Sequence, residues 1–390
     1  MNIQMVDVKS QYLKIKEEID RGIQEVLDTT AFINGPQVKN FQQAFESYLG
    51  VKHVIPCANG TDALQIAMMA VGLKPGDEVI VPAFTYVATA EVIALLGLIP
   101  VMVDVDADTF NVNIDGIKAA ITPKTKAIVP VHLYGQSADM ESIMQIAEEH
   151  KLWVIEDNAQ AIGADYTFSD GRKLKTGTIG HIGCTSFYPS KNLGCYGDGG
   201  AIMTNDDNLG VLLHKIANHG QSVRYYHDVV GCNSRLDSIQ AVVLGAKLPH
   251  LDAYCESRRE VADYYDAAFA DVDAIETPYR APYTTHVFHQ YTLKIKNGRR
   301  DDLKKYLDEQ KVPNMIYYPV PLYKQEAFKA SSNGLEYLVN TENLCREVIS
   351  LPIHTEMSQE QLAYICEKVT AFFNNGSLKK VFDKKHITKE

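Results

Sequence analysis

From residue 53 onward, short runs of almost wholly apolar residues alternate with stretches in which apolar positions recur every three or four residues. "HVIPCA" has the first pattern and "TDALQIAMMAVG" the second, and "DEVIVPA" with "YVATAEVIALLG" repeats the pair. "IPVMVDV", "TKAIVPVHLYG", "SIMQIAEEH" and "LWVIEDN" continue the alternation. The apolar runs have the length of buried strands, and the amphipathic stretches read as helices packed against them. Strands without polar alternation must be covered on both faces, which is the condition of a parallel sheet. An α/β fold is therefore expected: a mostly parallel sheet sandwiched by helices, with active-site loops at the carboxyl ends of its strands.

The pattern changes at residues 233–272, "NSRLDSIQAVVLGAKLPHLDAYCESRREVADYYDAAFADV", which keeps helical periodicity without a strand break. It reads as one or two helices connecting domains. "FHQYTLKI", "DLKKYLDEQ", "VPNMIYYP" and "QEQLAYICEKVTAFF" then describe a smaller α+β unit. Residues 1–250 are expected to form the large domain, 251–375 the small C-terminal one, and 376–390 a charged tail. The amphipathic opening "DVKSQYLKIKEEIDRGIQEVLDT" is expected to pack across the small unit. The end, "KKVFDKKHITKE", lacks periodicity and is expected to fray. There is no internal repeat.

Composition narrows the class. A chain of 390 residues, 46% hydrophobic, fills one large domain or two. Its net charge of -11 argues against general binding of nucleic acid or acidic membranes, while leaving room for a local basic pocket. The seven cysteines are scattered with no CxxC pair, no signal peptide is recognisable, and no apolar run nears the ~20 residues of a membrane helix. A reduced, cytoplasmic protein is expected.

Four loops hold candidate chemistry. In "CANGTDAL" a strand ends and a helix begins, so Gly60 and Thr61 offer backbone N–H groups, a hydroxyl and a helix N-terminus to an anion. Taken alone, Thr61 reads as a plain N-cap. In "VIEDNAQAIGA" the apolar strand ends in Glu156-Asp157, with Gln160 following. A carboxylate there is costly to bury without a positive partner. Further metal ligands are not evident nearby, so a cationic heterocycle nitrogen suits Asp157 better, although a loop or N-cap role is open. In "TSFYPSKNLGCYGDGG", Ser186 ends a strand and Lys191 follows among glycines that let backbone approach a flat ligand. A lysine held out of water has its pKa lowered and becomes a nucleophile able to form an imine. In "TYVATAE", Tyr86 offers a face to a heterocycle or a side chain to the core.

An amine, a carboxylate, an anion cradle and an aromatic face together match the needs of pyridoxal 5'-phosphate. The chain also resembles the DegT/DnrJ/EryC1/StrS sugar aminotransferases, of pyridoxal-phosphate fold type I. The resemblance covers roughly residues 3–373. It is carried by "GPQVKNFQQAFESYLGVKHVIPCANGTDAL", "GDEVIVPAFTYVATAEVI", "VIEDNAQAIGA", "TSFYPSKNLGCYGDGGAIMTND", "GCNSRLDSIQA" and "SLPIHTEMSQEQL". It implies that Lys191 bonds the cofactor and Asp157 meets its ring nitrogen. Gln160 would contact the ring hydroxyl, Gly60, Thr61 and Ser186 the phosphate, and Tyr86 the ring face. It further implies that Asn233 reaches the phosphate of a neighbouring subunit, making a homodimer the minimal unit.

"CANGTDALQIA", "FTYVATAE", "LYGQSADM", "FYPSKNLGCYGDGG" and "NSRLD" resemble most the enzymes that aminate C3 of UDP-2-acetamido-2-deoxy-3-oxo-glucuronate, with glutamate as donor. Enzymes of 6-deoxy 3-keto or 4-keto sugars share much of this. Arg235 is the candidate partner for the sugar carboxylate, with a structural ion pair as its other reading. His219, His289, Tyr317 and Tyr318 are candidates for the sugar or nucleotide pocket, or packing. Lys191 argues against the dehydratase branch of the fold, which lacks this lysine. Restriction to amino-acid substrates lacks support in a resemblance that follows the sugar enzymes throughout. A regulatory protein would need a DNA- or partner-binding element, and no basic helix-turn-helix segment is present.

Overall fold

The computed structural model describes residues 2–329 and 337–385, with side chains to residue 374. The opening helix is broken at Ile15 into α1 (Val8–Lys14) and α2 (Lys16–Thr29). Asp7 caps α1 by accepting from Ser10 N at 2.9 Å. α3 (Pro36–Leu49) follows the usual asymmetry, with proline at its first position and Gly50 left-handed after its last.

Strands and helices then alternate: β1 (His53–Cys57), α4 (Gly60–Ala70), β2 (Glu78–Pro82), α5 (Ala88–Leu95) and β3 (Ile99–Val103). Next come α6 (Ile114–Ala120), β4 (Thr125–Ile128), α7 (Met140–His150) and β5 (Trp153–Asp157). A small hairpin, β6 (Asp165–Thr167) and β7 (Lys173–Lys175), precedes β8 (Ile182–Ser186), β9 (Gly200–Thr204) and α8 (Asp207–Ala217). Seven of these strands form one sheet in the order β1-β9-β8-β5-β4-β2-β3. β9 is antiparallel to both its neighbours, and the other six strands run parallel. Consecutive residues enter opposite cores: Ile155 packs with Val79, Val81 and Ile182 on one face, and Val154 with Ile80 and Ile128 on the other. Both faces are dry, so the apolar runs need no alternation. The parallel strands end on one edge, where the loops after Cys57, Pro82, Asp157 and Ser186 open side by side.

After α8 an exposed hairpin, β10 (Gln221–Val223) and β11 (Tyr226–His227), leads to α9 (Ser238–Lys247) and, past a single 3-10 turn, α10 (Leu251–Phe269). α10 belongs to two cores. Leu251 and Cys255 pack with α3 and α9 residues, whereas Val261, Tyr265 and Phe269 enter a separate cluster. That second cluster covers an antiparallel sheet of β12 (Ile275–Glu276), β13 (Tyr291–Ile295) and β14 (Val348–Leu351). Leu303 and Leu307 of α11 (Arg300–Glu309) and Ile365 of the last helix complete it. Between them lies α12 (Val339–Glu347), and α13 is Gln359–Lys385. The tail read as frayed begins inside α13, and its side chains and residues 386–390 lie outside the described residues.

The opening segment meets both units. α2 lies on α9, where Ile19 packs with Val243 and Ala246, and not across the small unit. The residues before α2 do reach that unit: Ile3 enters its core, Ile353 N donates to Met5 O, Gln361 to Asn2 O, and Lys14 pairs with Glu356 at 2.6 Å. The physical reason is area, since Ile15, Ile19 and Ile23 find a complementary apolar stripe on α9. Among the described residues no helix is long and apolar enough to cross a membrane.

Candidate active site

Lys191 stands in the loop between β8 and β9, and several contacts hold that loop. Cys195 N donates back to Phe187 O at 2.8 Å. Asn192 Nδ2 donates to Val287 O at 2.9 Å, and Lys247 Nζ, from α9, donates to Gly194 O at 2.7 Å. Lys191 itself is half-buried. Burial lowers its pKa to about 8, with the nearby Asp157 charge opposing the shift.

Asp157 ends β5 with only 6% of its surface exposed. Its Oδ2 accepts from Thr89 Oγ1 at 2.7 Å and its Oδ1 from Ala159 N at 3.1 Å. One turn on, Gln160 is held at both ends: Oε1 accepts from Tyr134 N at 2.7 Å, and Nε2 donates to Tyr318 OH at 3.2 Å. The Tyr318 ring lies 6.2 Å from that of Tyr86, which stands exposed at the entrance. Tyr134 OH donates to Tyr317 O, fixing the 317–318 segment over the strand ends. His289 is buried within electrostatic reach of Lys191. Burial, then the Lys191 and Arg258 charges, hold its pKa well below the usual range, so its imidazole is neutral.

The anion-receptive turn lies at the end of β1. Asn59, not Thr61, caps α4, accepting from Asp62 N at 2.8 Å. The Thr61 hydroxyl has no such duty among the described residues. Gly60 faces Ser186 so closely that a Cβ on it would stand 2.7 Å from the serine Cβ. One on Gly200 would stand 2.5 Å from the Asn59 carbonyl carbon. Glycine is required where these two loops meet.

Lys191, Asp157, Gln160, Tyr86, Tyr318, Tyr317 and His289 thus share one region, with Gly60, Thr61 and Ser186 beside it. Asn233, Arg235 and His219 are arranged differently. Asn233 is exposed and bridged to Asn218, while its neighbour Ser234 accepts from Ala58 N at 3.0 Å. Arg235 donates to Asn218 Oδ1 at 3.3 Å and leaves a buried Nε without a partner. It lines a cleft of about 970 Å³ with His53, His214 and Arg224. His219 is exposed, with φ of 60°.

Four residues escaped the sequence reading. Thr89 lies inside the "TYVATAE" stretch, where a threonine amid alanines reads as packing. Asn192 adjoins the lysine and was legible only as its neighbour. Lys247 falls on the apolar face of α9 beside Val243 and Leu244, a placement that does mark a lysine as buried. Arg258 is buried on α10 and donates to three backbone carbonyls, of Phe288, His289 and Ile353.

The sequence pattern of the DegT/DnrJ/EryC1/StrS aminotransferase family matches residues 13–370. The chain belongs to this family. The aminotransferase is 46% identical to the pleiotropic regulatory protein of Geobacillus stearothermophilus, over 96% of this chain and all of that one. It is 45% identical to the UDP-2-acetamido-2-deoxy-3-oxo-D-glucuronate aminotransferase of Pseudomonas aeruginosa, over 94% of this chain and 99% of the relative. The crystal structure of ntda from Bacillus subtilis with bound cofactor PMP superposes with a TM-score of 0.86 at 34% identity. That match covers 93% of this aminotransferase and 82% of the other chain.

Proposed function

We propose that this aminotransferase moves the amino group of glutamate onto a keto carbon of a nucleotide-linked sugar, namely C3 of UDP-2-acetamido-2-deoxy-3-oxo-glucuronate, for a surface polysaccharide. One observation carries the reading: Lys191, an amine with pKa lowered to about 8, lies within electrostatic reach of the buried Asp157 carboxylate. The Pseudomonas relative supports the choice of sugar.

Pyridoxal 5'-phosphate fits the donor set. Asp157 would hold its ring nitrogen, Gln160 its ring hydroxyl, Tyr86 its face, and Gly60, Thr61 and Ser186 its phosphate, in the cradle that a Cβ at residue 60 would fill. The bound group supplies an aldehyde carbon and an electron-accepting ring. Lys191 Nζ would hold it covalently. The same Nζ would take the proton from the donor's α-carbon and return one to the sugar carbon. With a pKa near 8, about a tenth of this amine is neutral at pH 7, against far below one per cent for an ordinary lysine. Arginine in its place stays protonated and serves neither purpose.

Arg235, in the cleft it lines with His214 and Arg224, is assigned to the sugar carboxylate. His219, His289, Tyr317 and Tyr318 are assigned to the sugar or nucleotide. A homodimer accounts for the exposed hairpin, where Tyr225, Tyr226 and Val230 are 75%, 71% and 85% exposed, and for Asn233 acting across subunits. The border between the cofactor-binding unit and the smaller one is placed at residue 250. Seven unpaired cysteines suit a reducing cytoplasm.

A regulatory role is favoured by the name of the Geobacillus relative. A purely binding protein has no use for an amine poised near neutrality, which favours the enzyme. The test is to load the cofactor's amine form, add keto-sugar nucleotides, and follow the return of the aldehyde-form absorbance. Return with the 3-oxo-glucuronate nucleotide alone upholds the reading. Return only with a 6-deoxy 3-keto or 4-keto sugar replaces the substrate, and no return with any sugar favours the regulator.

A further inference from the structure

Thr89 is fully buried in the first turn of α5, and its hydroxyl is directed away from its own helix backbone to a side chain of another strand. It donates across the sheet edge to Asp157 Oδ2 at 2.7 Å, a residue 68 positions away in sequence. Threonine is branched at Cβ, so its χ1 is stiff and the hydroxyl direction is fixed by packing. The other carboxylate oxygen takes Ala159 N–H at 3.1 Å. The Asp157 backbone is pinned as well, N donating to Pro130 O at 2.9 Å and O accepting from His132 N at 3.0 Å. Two donors, one on each oxygen, set the plane of the carboxylate, and each oxygen keeps a second lone pair free.

We infer that Thr89 is a positioning residue, which fixes the Asp157 carboxylate for the cationic ring nitrogen of the cofactor. This rests on the reading of Asp157 given above. Without the hydroxyl, Oδ2 loses a charge-assisted bond and the carboxylate is free to rotate about χ2. The hold on the ring nitrogen then weakens, although Thr89 touches no reacting atom.

The experiment compares Thr89→Ser, Thr89→Ala, Thr89→Val and Asp157→Asn in the full chain. Retention of pyridoxal phosphate against dialysis is read from its absorbance, and kcat and KM for the donor are then measured on loaded enzyme. Serine keeps the donor and is expected within about threefold of the parent, while alanine and valine lose about tenfold or more in cofactor affinity. kcat falls with them and KM stays nearly unchanged. If alanine and valine retain cofactor like the parent, the inference fails. It fails equally if serine is as poor as valine, which would make the methyl group the important part. Should Asp157→Asn also retain cofactor fully, the assignment of Asp157 itself is what falls. If valine does not fold, the serine–alanine pair decides.

Discussion

Gly60 and Ser186 approach so closely that no side chain fits between them, since a Cβ on Gly60 would lie 2.7 Å from the serine Cβ. The serine lies at the end of a sheet strand and cannot retreat without breaking the Ser186–Gly200 pairing. Gly60→Ala is therefore expected to push the two loops apart at the proposed phosphate cradle. Cofactor affinity should fall at least about tenfold while the folded core persists. Equilibrium dialysis with far-UV circular dichroism as control checks this, and unchanged affinity would remove the cradle from these two loops.

Lys191 in the cofactor-free chain should react as an amine of pKa about 8. Its acylation by a small reagent is expected to rise with pH through that value and level off above it, about two units before surface lysines do. Burial lowers the pKa and the Asp157 charge raises it, so Asp157→Asn should move the midpoint lower still. Peptide mapping of the modified residue against pH gives the answer, and a midpoint near 10 contradicts the burial of this amine.

Arg258 donates to Phe288 O, His289 O and Ile353 O at 3.0, 3.3 and 3.1 Å, and burial lowers its pKa to about 10. Arg258→Met fills much of the volume but leaves buried carbonyls unpaired. A loss of about 3 kcal/mol or more is expected in urea unfolding. A change below ~1 kcal/mol would mean that these carbonyls find other donors.

His354 is buried, and burial, followed by the Arg258 charge, lowers its pKa to about 4. An unfolded histidine titrates near 6.5, so between about pH 6.5 and 4 the unfolded chain binds a proton that the folded chain refuses. Stability contributed here is present above pH 6.5 and lost as pH falls. His354→Gln should flatten that loss by about 1.4 kcal/mol per pH unit within the window, measured by denaturation at stepped pH.

Why some of this was legible in the sequence and some was not has a physical basis. Apolar runs announce strands covered on both faces, so the layered sheet could be read from "VIVPA" and "LWVIED". Strand direction leaves no mark on apolar content, and nothing in "AIMTND" announces that β9 runs against its neighbours. The break at Ile15 carries neither proline nor glycine. The resting place of α2 was hidden because Ile15, Ile19 and Ile23 suit any apolar stripe, and α9 becomes their partner only in three dimensions. Lys191 and Asp157 stood out because a charge flanked by strand and glycine is costly unless it is used. Thr89 did not, since one hydroxyl in an alanine-rich turn has no such cost until its acceptor, 68 residues on, arrives beside it.

The reversal of β9 has one more consequence. Had the chain left β8 for another parallel strand, it would have crossed a whole face of the sheet before pairing again. Instead Ser186 and Gly200 face each other as the last pair of a ladder, and residues 187–199 form the tip of an oversized hairpin. The reactive amine is thus mounted on a bracket bolted at both feet to the same edge. Its side chain can swing between partners while its backbone stays registered to the strand ends that carry the rest of the site.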